Sequence, residues 1–224
     1  MHFLFFLAAF AAILIQREKT SLLKVSDHQH EKEDPRNEHN MMKAISQKVS
    51  CTCGKVQLAI DSPSALRLVC YCKDCRGYYN MLNHLHSHNH AVLDPWGGVD
   101  YTQIYPSEIK VLKGQELIHT CLIRPKSPIR RVYASCCDTP LFTVGSNSAL
   151  LNTHLLPNEE DKPDVRFRII GRNSLNGPSG KPSMSWSVPL NWLWVMGMRI
   201  QRDKMEPVPV DISQPTVLEN FKEG

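Results

Sequence analysis

The sequence lacks an apolar run of bilayer length, a strong net charge, an internal repeat, a glycine-rich phosphate loop and a nucleophile elbow. Each absence removes a class of function. The apolar stretch from Phe3 to Ile15 is shorter than the roughly 20 residues a helix needs to cross a membrane. A formal net charge of +4 gives no reason to expect nucleic acid as a partner. Without a glycine-rich turn there is no cradle for a nucleotide phosphate, and without the elbow no serine of the hydrolase kind. What remains, at 42% hydrophobic and 21% charged residues, fits a globular protein with one sizeable core.

The amino terminus reads in two ways. Phe3 to Ile15 resembles a signal-peptide core, but only Met1 and His2 precede it, Arg17 and Lys19 follow it, and no small-x-small cleavage site stands before Gln16. From Glu18 to Asn40 the chain is polar around Pro35 and buries too little surface to order itself. Met41 and Met42 then stand just before the first strand. One reading starts translation there and leaves the protein cytoplasmic. The other anchors it to a membrane through residues 3–15, and membrane contact is expected only in that case.

The rest of the chain alternates with the period of strands. Lys43 to Val49 and Val56, Leu58 and Ile60 form a hairpin around Gly54, which Pro63 ends, and Leu66 to Tyr71 is a further strand. Lys73 to about Leu82 is a short helix opened by Asp74. Past a turn at Gly97 and Gly98, the runs Thr102–Tyr105, Ile109–Leu112, Leu117–Ile123 and Ile129–Tyr133 are short antiparallel strands separated by Pro106, Gly114 and the Pro125–Pro128 loop. Asn158 to Pro163 is an acidic loop, Val165 to Ile170 a strand, and Asn173 to Pro182 a flexible excursion. Pro189 to Ile200 is a tryptophan-rich helix with Arg199, Arg202 and Lys204 at its carboxyl end, packing on the sheet. The fold class expected is mainly β.

Seven of the 8 cysteines fall in clusters: Cys51 with Cys53, Cys70 with Cys72 and Cys75, and Cys136 with Cys137. Cys121, inside an apolar-alternating run, is an ordinary buried residue. A Cys-x-Cys-x-x-Cys run aims three soft sulfurs at one point from a single turn, which suits tetrahedral zinc. A disulfide framework is the rival, but adjacent or near-adjacent cysteines close on each other only with strain. Zinc, up to two ions, is therefore preferred. Cys51, Cys53, Cys136 and Cys137 would form a closed four-sulfur staple, and Cys70, Cys72 and Cys75 a second site with an open corner. Three thiolates on a divalent ion leave a charge of minus one, so water activation is poor and exchange of a thiolate into the open corner is good. A substrate carboxylate would need a cation, and Arg76 beside Cys75 is the nearest. Arg130 and Arg131 are weaker candidates, read more readily as solvated surface charges. The histidines at 84, 86, 88 and 90 read as a solvated polar loop ahead of a metal tract.

The motifs Cys51-Thr52-Cys53-Gly54 and Cys70-Tyr71-Cys72-Lys73-Asp74-Cys75-Arg76, with the segment Tyr133 to Leu141 in order after them, resemble the glutathione-dependent formaldehyde-activating enzymes and centromere protein V. The likeness spans about Lys43 to Phe142. It implies a beta-tent fold of short antiparallel strands with a few short helices. It also implies a structural zinc on the outer cysteines, a catalytic zinc on Cys70, Cys72 and Cys75, and a carbon-sulfur lyase-type reaction on a small thiol adduct such as that of glutathione and formaldehyde. The division implied is a leader over 1–40, a zinc-binding domain over 41–155 and an extension over 156–224 packing on it. The late motif departs from the family's Cys-x-x-Cys-Gly-Thr: Ala134 takes the place of the first cysteine, Asp138 that of the glycine, and Cys136 must substitute if four sulfurs are to meet. A bacterial branch of the family is similar in carrying Ala-Ser-Cys-Cys-x-Thr-Pro. Adjacent cysteines on one ion would distort or weaken that site. The alternative function is a zinc-stabilised binding or scaffold module without turnover.

Overall fold

The computed structural model describes residues 42–85, 93–145, 148–177, 180–182 and 209–218. The leader over 1–40, the histidines from 86 to 90, the His84 side chain and the tryptophan-rich helix expected over 189–200 lie outside the described residues. Among the described residues the protein is mainly β, with strands β1 (Lys43–Ser50), β2 (Gln57–Cys70), β3 (Val99–Ile104), β4 (Ile109–Lys113) and β5 (Ile118–Leu122). They continue with β6 (Arg130–Ala134), β7 (Thr139–Val144), β8 (Ala149–Asn152), β9 (Val165–Ile169) and β10 (Thr216–Val217). One helix, α1 (Lys73–Leu85), is described. The hydrogen-bonded order is β1-β2-β3-β8-β7-β6-β5-β10, with β4 and β9 also pairing β2.

The long strand β2 is the hinge of the architecture. Its first half pairs β1 and β4, burying Leu58 and Ile60 with Ile45 and Val49 in one core. Its last residues, Leu66 to Cys70, pair β3, and Arg67 to Cys70 also pair β9, feeding a second core. Pro63 was expected to end the strand, but β2 runs through it. The reason is local: Pro63 is exposed and falls where the β1 register slips between Ile45 and Lys43 and where β4 has ended and β3 has not begun. A residue without an N–H costs nothing where no partner waits for one.

Two pairings, β2 with β9 and β5 with β10, are parallel, where antiparallel neighbours were expected throughout. Both strands return after connections long enough for a crossover, which parallel pairing requires. The Asn173–Pro182 excursion is tied down at several points: the Leu175 N–H donates to the Trp96 carbonyl (2.8 Å) and the Trp96 indole N–H to the Gly180 carbonyl (2.6 Å).

Helix α1 covers the second core. Cys75, Tyr78, Tyr79 and Leu82 recur at helical spacing and are all buried, so one stripe faces the sheet. Tyr79 meets Tyr101 of β3 edge to face. Asp74 sits in the first turn, where a carboxylate complements the helix dipole, and receives both Arg124 Nη groups (2.6 and 2.9 Å). The helix start is thereby held, and with it the Cys75 sulfur. Among the described residues no helix is long and apolar enough to cross a membrane.

Candidate metal centres

All eight cysteines are free thiols in the structure, and seven of them gather into two groups. The disulfide framework is not formed. In each group the sulfurs lie within 4.8 Å of one another, close enough to hold one metal ion.

The outer group joins Cys51, just past β1, with Cys53, Cys136 and Cys137. Gly54 takes a left-handed φ of 74° and returns its N–H to the Cys51 carbonyl (2.9 Å), curling the Cys51–Gly54 turn so that both thiols point the same way. The facing turn between β6 and β7 is tight: the Cys137 N–H bonds to the Ala134 carbonyl and Asp138 adopts a φ of 51°. This bend brings the adjacent Cys136 and Cys137 sulfurs to the same side, 3.8 Å apart. Cys51 Sγ lies 3.6 Å from Cys53 Sγ and 3.8 Å from Cys136 Sγ, and Cys53 Sγ lies 3.3 Å from Cys136 Sγ. A tetrahedron with bonds of about 2.3 Å has edges of about 3.8 Å, so these spacings suit four-sulfur coordination. The variant Cys-Cys pair therefore presents both thiols.

Neutral dipoles stabilise negative charge in this group. The Val56 N–H donates to Cys51 Sγ (3.3 Å), and the Thr139 hydroxyl lies 3.0 Å from Cys137 Sγ. The same hydroxyl oxygen accepts from the Thr52 N–H (3.1 Å), which knits the two turns together. Burial pushes the Cys137 thiol up, but hydrogen bonds from Thr139 and from the Cys53 and Thr139 backbone outweigh it and bring the thiol down to about 6. Cys51 and Cys136 are pushed up, chiefly by burial, and Cys53 is exposed to water.

The inner group comes from the junction of β2 with α1. Cys70 is the last residue of β2, Cys72 stands in the connection, and Cys75 lies in the first turn of α1, its N–H donating to Cys72 Sγ (3.2 Å). Cys70 and Cys75 are buried and Cys72 is half-buried. Among the described residues no fourth Cys, His, Asp or Glu joins them. The turn before β3 backs this junction: the Asp94 carboxylate accepts from the Trp96 N–H (2.9 Å), the Gly98 N–H (2.7 Å) and the Tyr71 hydroxyl (2.7 Å). A Cβ at Gly98 would stand 2.5 Å from Val69 Cγ1 and 2.6 Å from the Tyr71 ring, so glycine is required by close approach.

The electrostatics of the inner group are lopsided. Cys75 is held well below the ordinary thiol range by hydrogen bonds from Cys70 and Cys72 and, against burial, by the charge of Arg131. Cys70 is pushed up by its hydrogen bonds with Cys72 and Cys75 and by burial, and Cys72 is raised to about 11. Of the three thiols, Cys75 is therefore the one that most readily gives up its proton. Cys121, buried behind them, is pushed up to about 12 by desolvation.

Arg131 was expected on the surface and is instead 2% exposed. The β5–β6–β7 register seats it between Cys121 and Thr143, under α1, with its Nη atoms 3.8 and 3.9 Å from Cys75 Sγ. Its guanidinium also stacks 4.9 Å from the centre of the Tyr78 ring. Arg76 is buried as well, and its Nη1 donates to the Asn173 carbonyl (2.9 Å), pinning that loop to α1. Arg130 donates to the Ile212 carbonyl (3.1 Å).

Residues 41–153, a span that takes in both cysteine groups, match a family of unknown function, DUF6151. The chain belongs to the DUF6151 family. No curated protein matches it. Among solved structures it is similar to the crystal structure of a Rhodobacter sphaeroides protein determined as a structural-genomics target, at 16% identity and a TM-score of 0.39, over 53% of this chain and 97% of that one. A likeness of that strength assigns no property to this member of DUF6151. The matched span takes in every cysteine of both groups.

Proposed function

We propose that this DUF6151 protein is a zinc protein with two unlike sites, a structural one on Cys51, Cys53, Cys136 and Cys137 and a reactive one on Cys70, Cys72 and Cys75. Its reaction is the making or breaking of a carbon-sulfur bond in a small thiol-aldehyde adduct of the glutathione and formaldehyde kind. The observation that carries this reading is the inner group itself: three sulfurs within 4.8 Å, with no fourth ligand from the described residues. Zinc held by three thiolates keeps an incoming thiol deprotonated near neutral pH and activates water poorly. The likeness of the Cys-x-Cys-Gly and Cys-x-Cys-x-x-Cys-Arg motifs to the formaldehyde-activating family supports the same chemistry.

The protein's own groups divide the work. Cys70 and Cys75 are fixed by burial, and half-buried Cys72 marks the side from which a ligand reaches them. Arg76, oriented by the Asn173 carbonyl, is the cation for a substrate carboxylate. Tyr71, its hydroxyl held by Asp94, anchors the backbone between the first two cysteines.

The test follows exchange between labelled formaldehyde and glutathione by NMR, with zinc-loaded wild type and with Cys72→Ala. At least tenfold acceleration by wild type, returning to background in the variant, is expected. Background rates with fully metallated wild type would overturn the lyase reading and leave a zinc-stabilised binding or scaffold module.

A further inference from the structure

Arg131 is a buried cation, and among the described residues no carboxylate answers it. The group it faces is the Cys75 sulfur, 3.8 and 3.9 Å from its two terminal nitrogens. Its other neighbours include the Tyr78 ring and the Thr143 hydroxyl (3.5 Å), and its Nε makes no hydrogen bond among the described residues. A charge taken out of water without a partner is strongly disfavoured, so this residue is matched to negative charge on the inner cysteines. The outer group has nothing comparable and relies on N–H and hydroxyl dipoles.

We infer that Arg131 is the charge-balancing, positioning residue of the inner site, and that its role is to let the open position accept an anionic sulfur ligand. This rests on the reading of Cys70, Cys72 and Cys75 as an open metal site. Three thiolates and a divalent ion carry minus one, which Arg131 brings to zero. A thiolate in the fourth position then leaves the buried assembly at minus one. Without Arg131 the same ligand would leave it at minus two. A neutral ligand adds no charge and is insensitive to this balance. Arg131 is not itself a ligand, because its guanidinium has no lone pair to offer a metal.

The experiment uses the full chain loaded with Co2+, whose absorption reports its coordination. Wild type, Arg131→Met and Arg131→Lys are titrated with 2-mercaptoethanol and, separately, with imidazole. Difference spectra cancel the four-sulfur group. Wild type is expected to take up both ligands. Arg131→Met is expected to lose roughly tenfold to hundredfold in thiol affinity while imidazole affinity stays within about threefold. Arg131→Lys, which keeps the charge but not the fork, is expected to restore thiol uptake to within about fivefold of wild type.

Equal losses for thiol and imidazole, or no loss in either, would overturn the charge-balancing role while the open site stands. If Arg131→Met does not fold, the lysine variant decides: thiol uptake retained supports the role, and loss of both ligands together overturns it. A wild type that shows no thiol-dependent spectrum would overturn the open-site reading, and this inference with it.

Discussion

The outer and inner cysteine groups use the same donor atom and solve its charge problem in opposite ways. In the outer group two tight turns supply backbone N–H and hydroxyl dipoles, and one thiol, Cys53, stays in contact with water. In the inner group two of three sulfurs are buried, and a full guanidinium charge is brought from another strand to face them. Solvent and dipoles suffice for a site that only has to hold together two turns. A buried site expected to gain and lose a charged ligand needs a counter-ion of its own.

The sharpest way to break this comparison is to remove one sulfur from each group. Cys51→Ala takes away a candidate ligand, an N–H···S bond and the link between segments 85 residues apart. It should cost on the order of 5 kcal/mol or more, comparable with the stability of a whole domain. Cys72→Ala should lower bound zinc from two ions to one per chain, with a loss of only about 1–2 kcal/mol. Metal analysis combined with thermal unfolding reads both. If Cys72→Ala unfolds the chain or leaves zinc unchanged, the inner group is not an independent site and the contrast collapses.

A smaller effect separates the supports of the two groups. Gly98→Ala forces a methyl into Val69 and Tyr71 behind the inner cysteines and should cost about 1–3 kcal/mol, lowering the melting temperature by several degrees and weakening inner-site metal binding. Gly54→Ala meets nothing within 4 Å and is opposed only by its left-handed φ, a cost of about 1–2 kcal/mol confined to the outer turn. Chelator competition on both variants would show whether each glycine serves its own group. Equal loosening of both metals by Gly98→Ala would refute that division.

The smallest expected effect tests the dipoles. Cys137 sits at about 6 against an ordinary thiol value of 9.0, so in metal-free protein it favours the folded state fully above about pH 9 and loses that contribution as pH falls through about 6. Melting temperature should rise over that window. Thr139→Val deletes the hydroxyl 3.0 Å from the Cys137 sulfur and should flatten the rise, at a cost of about 1–2 kcal/mol. An unchanged pH profile would mean that the hydroxyl does not set the Cys137 charge.

Much of the fold was legible in local pattern. Period-two alternation located β1 and β4 because each has one buried face, β5 and β6 were located although neighbouring residues in both are buried, and Cys75, Tyr78, Tyr79 and Leu82 carry helical spacing. Pro63 misled because a proline is read as a strand end unless the bulge and the change of neighbours around it are known. Arg131 misled for a related reason. An arginine in a short strand is ordinarily turned to water, and nothing near it in sequence announces the cysteine 56 positions earlier that meets it.

The sequence by itself determined the inner cysteine group, because Cys70, Cys72 and Cys75 lie within one turn and local backbone geometry is enough to converge them. It also determined the mainly β character, which follows from side-chain alternation. Tertiary structure alone decided that adjacent Cys136 and Cys137 both turn toward Cys51 and Cys53, since that depends on a left-handed Asp138 in a hairpin set by the β6–β7 register. It decided, too, that Arg131 faces sulfur and not solvent. Strand register and the seating of α1 are long-range outcomes, settled by which surfaces bury together, and no short stretch of sequence records them.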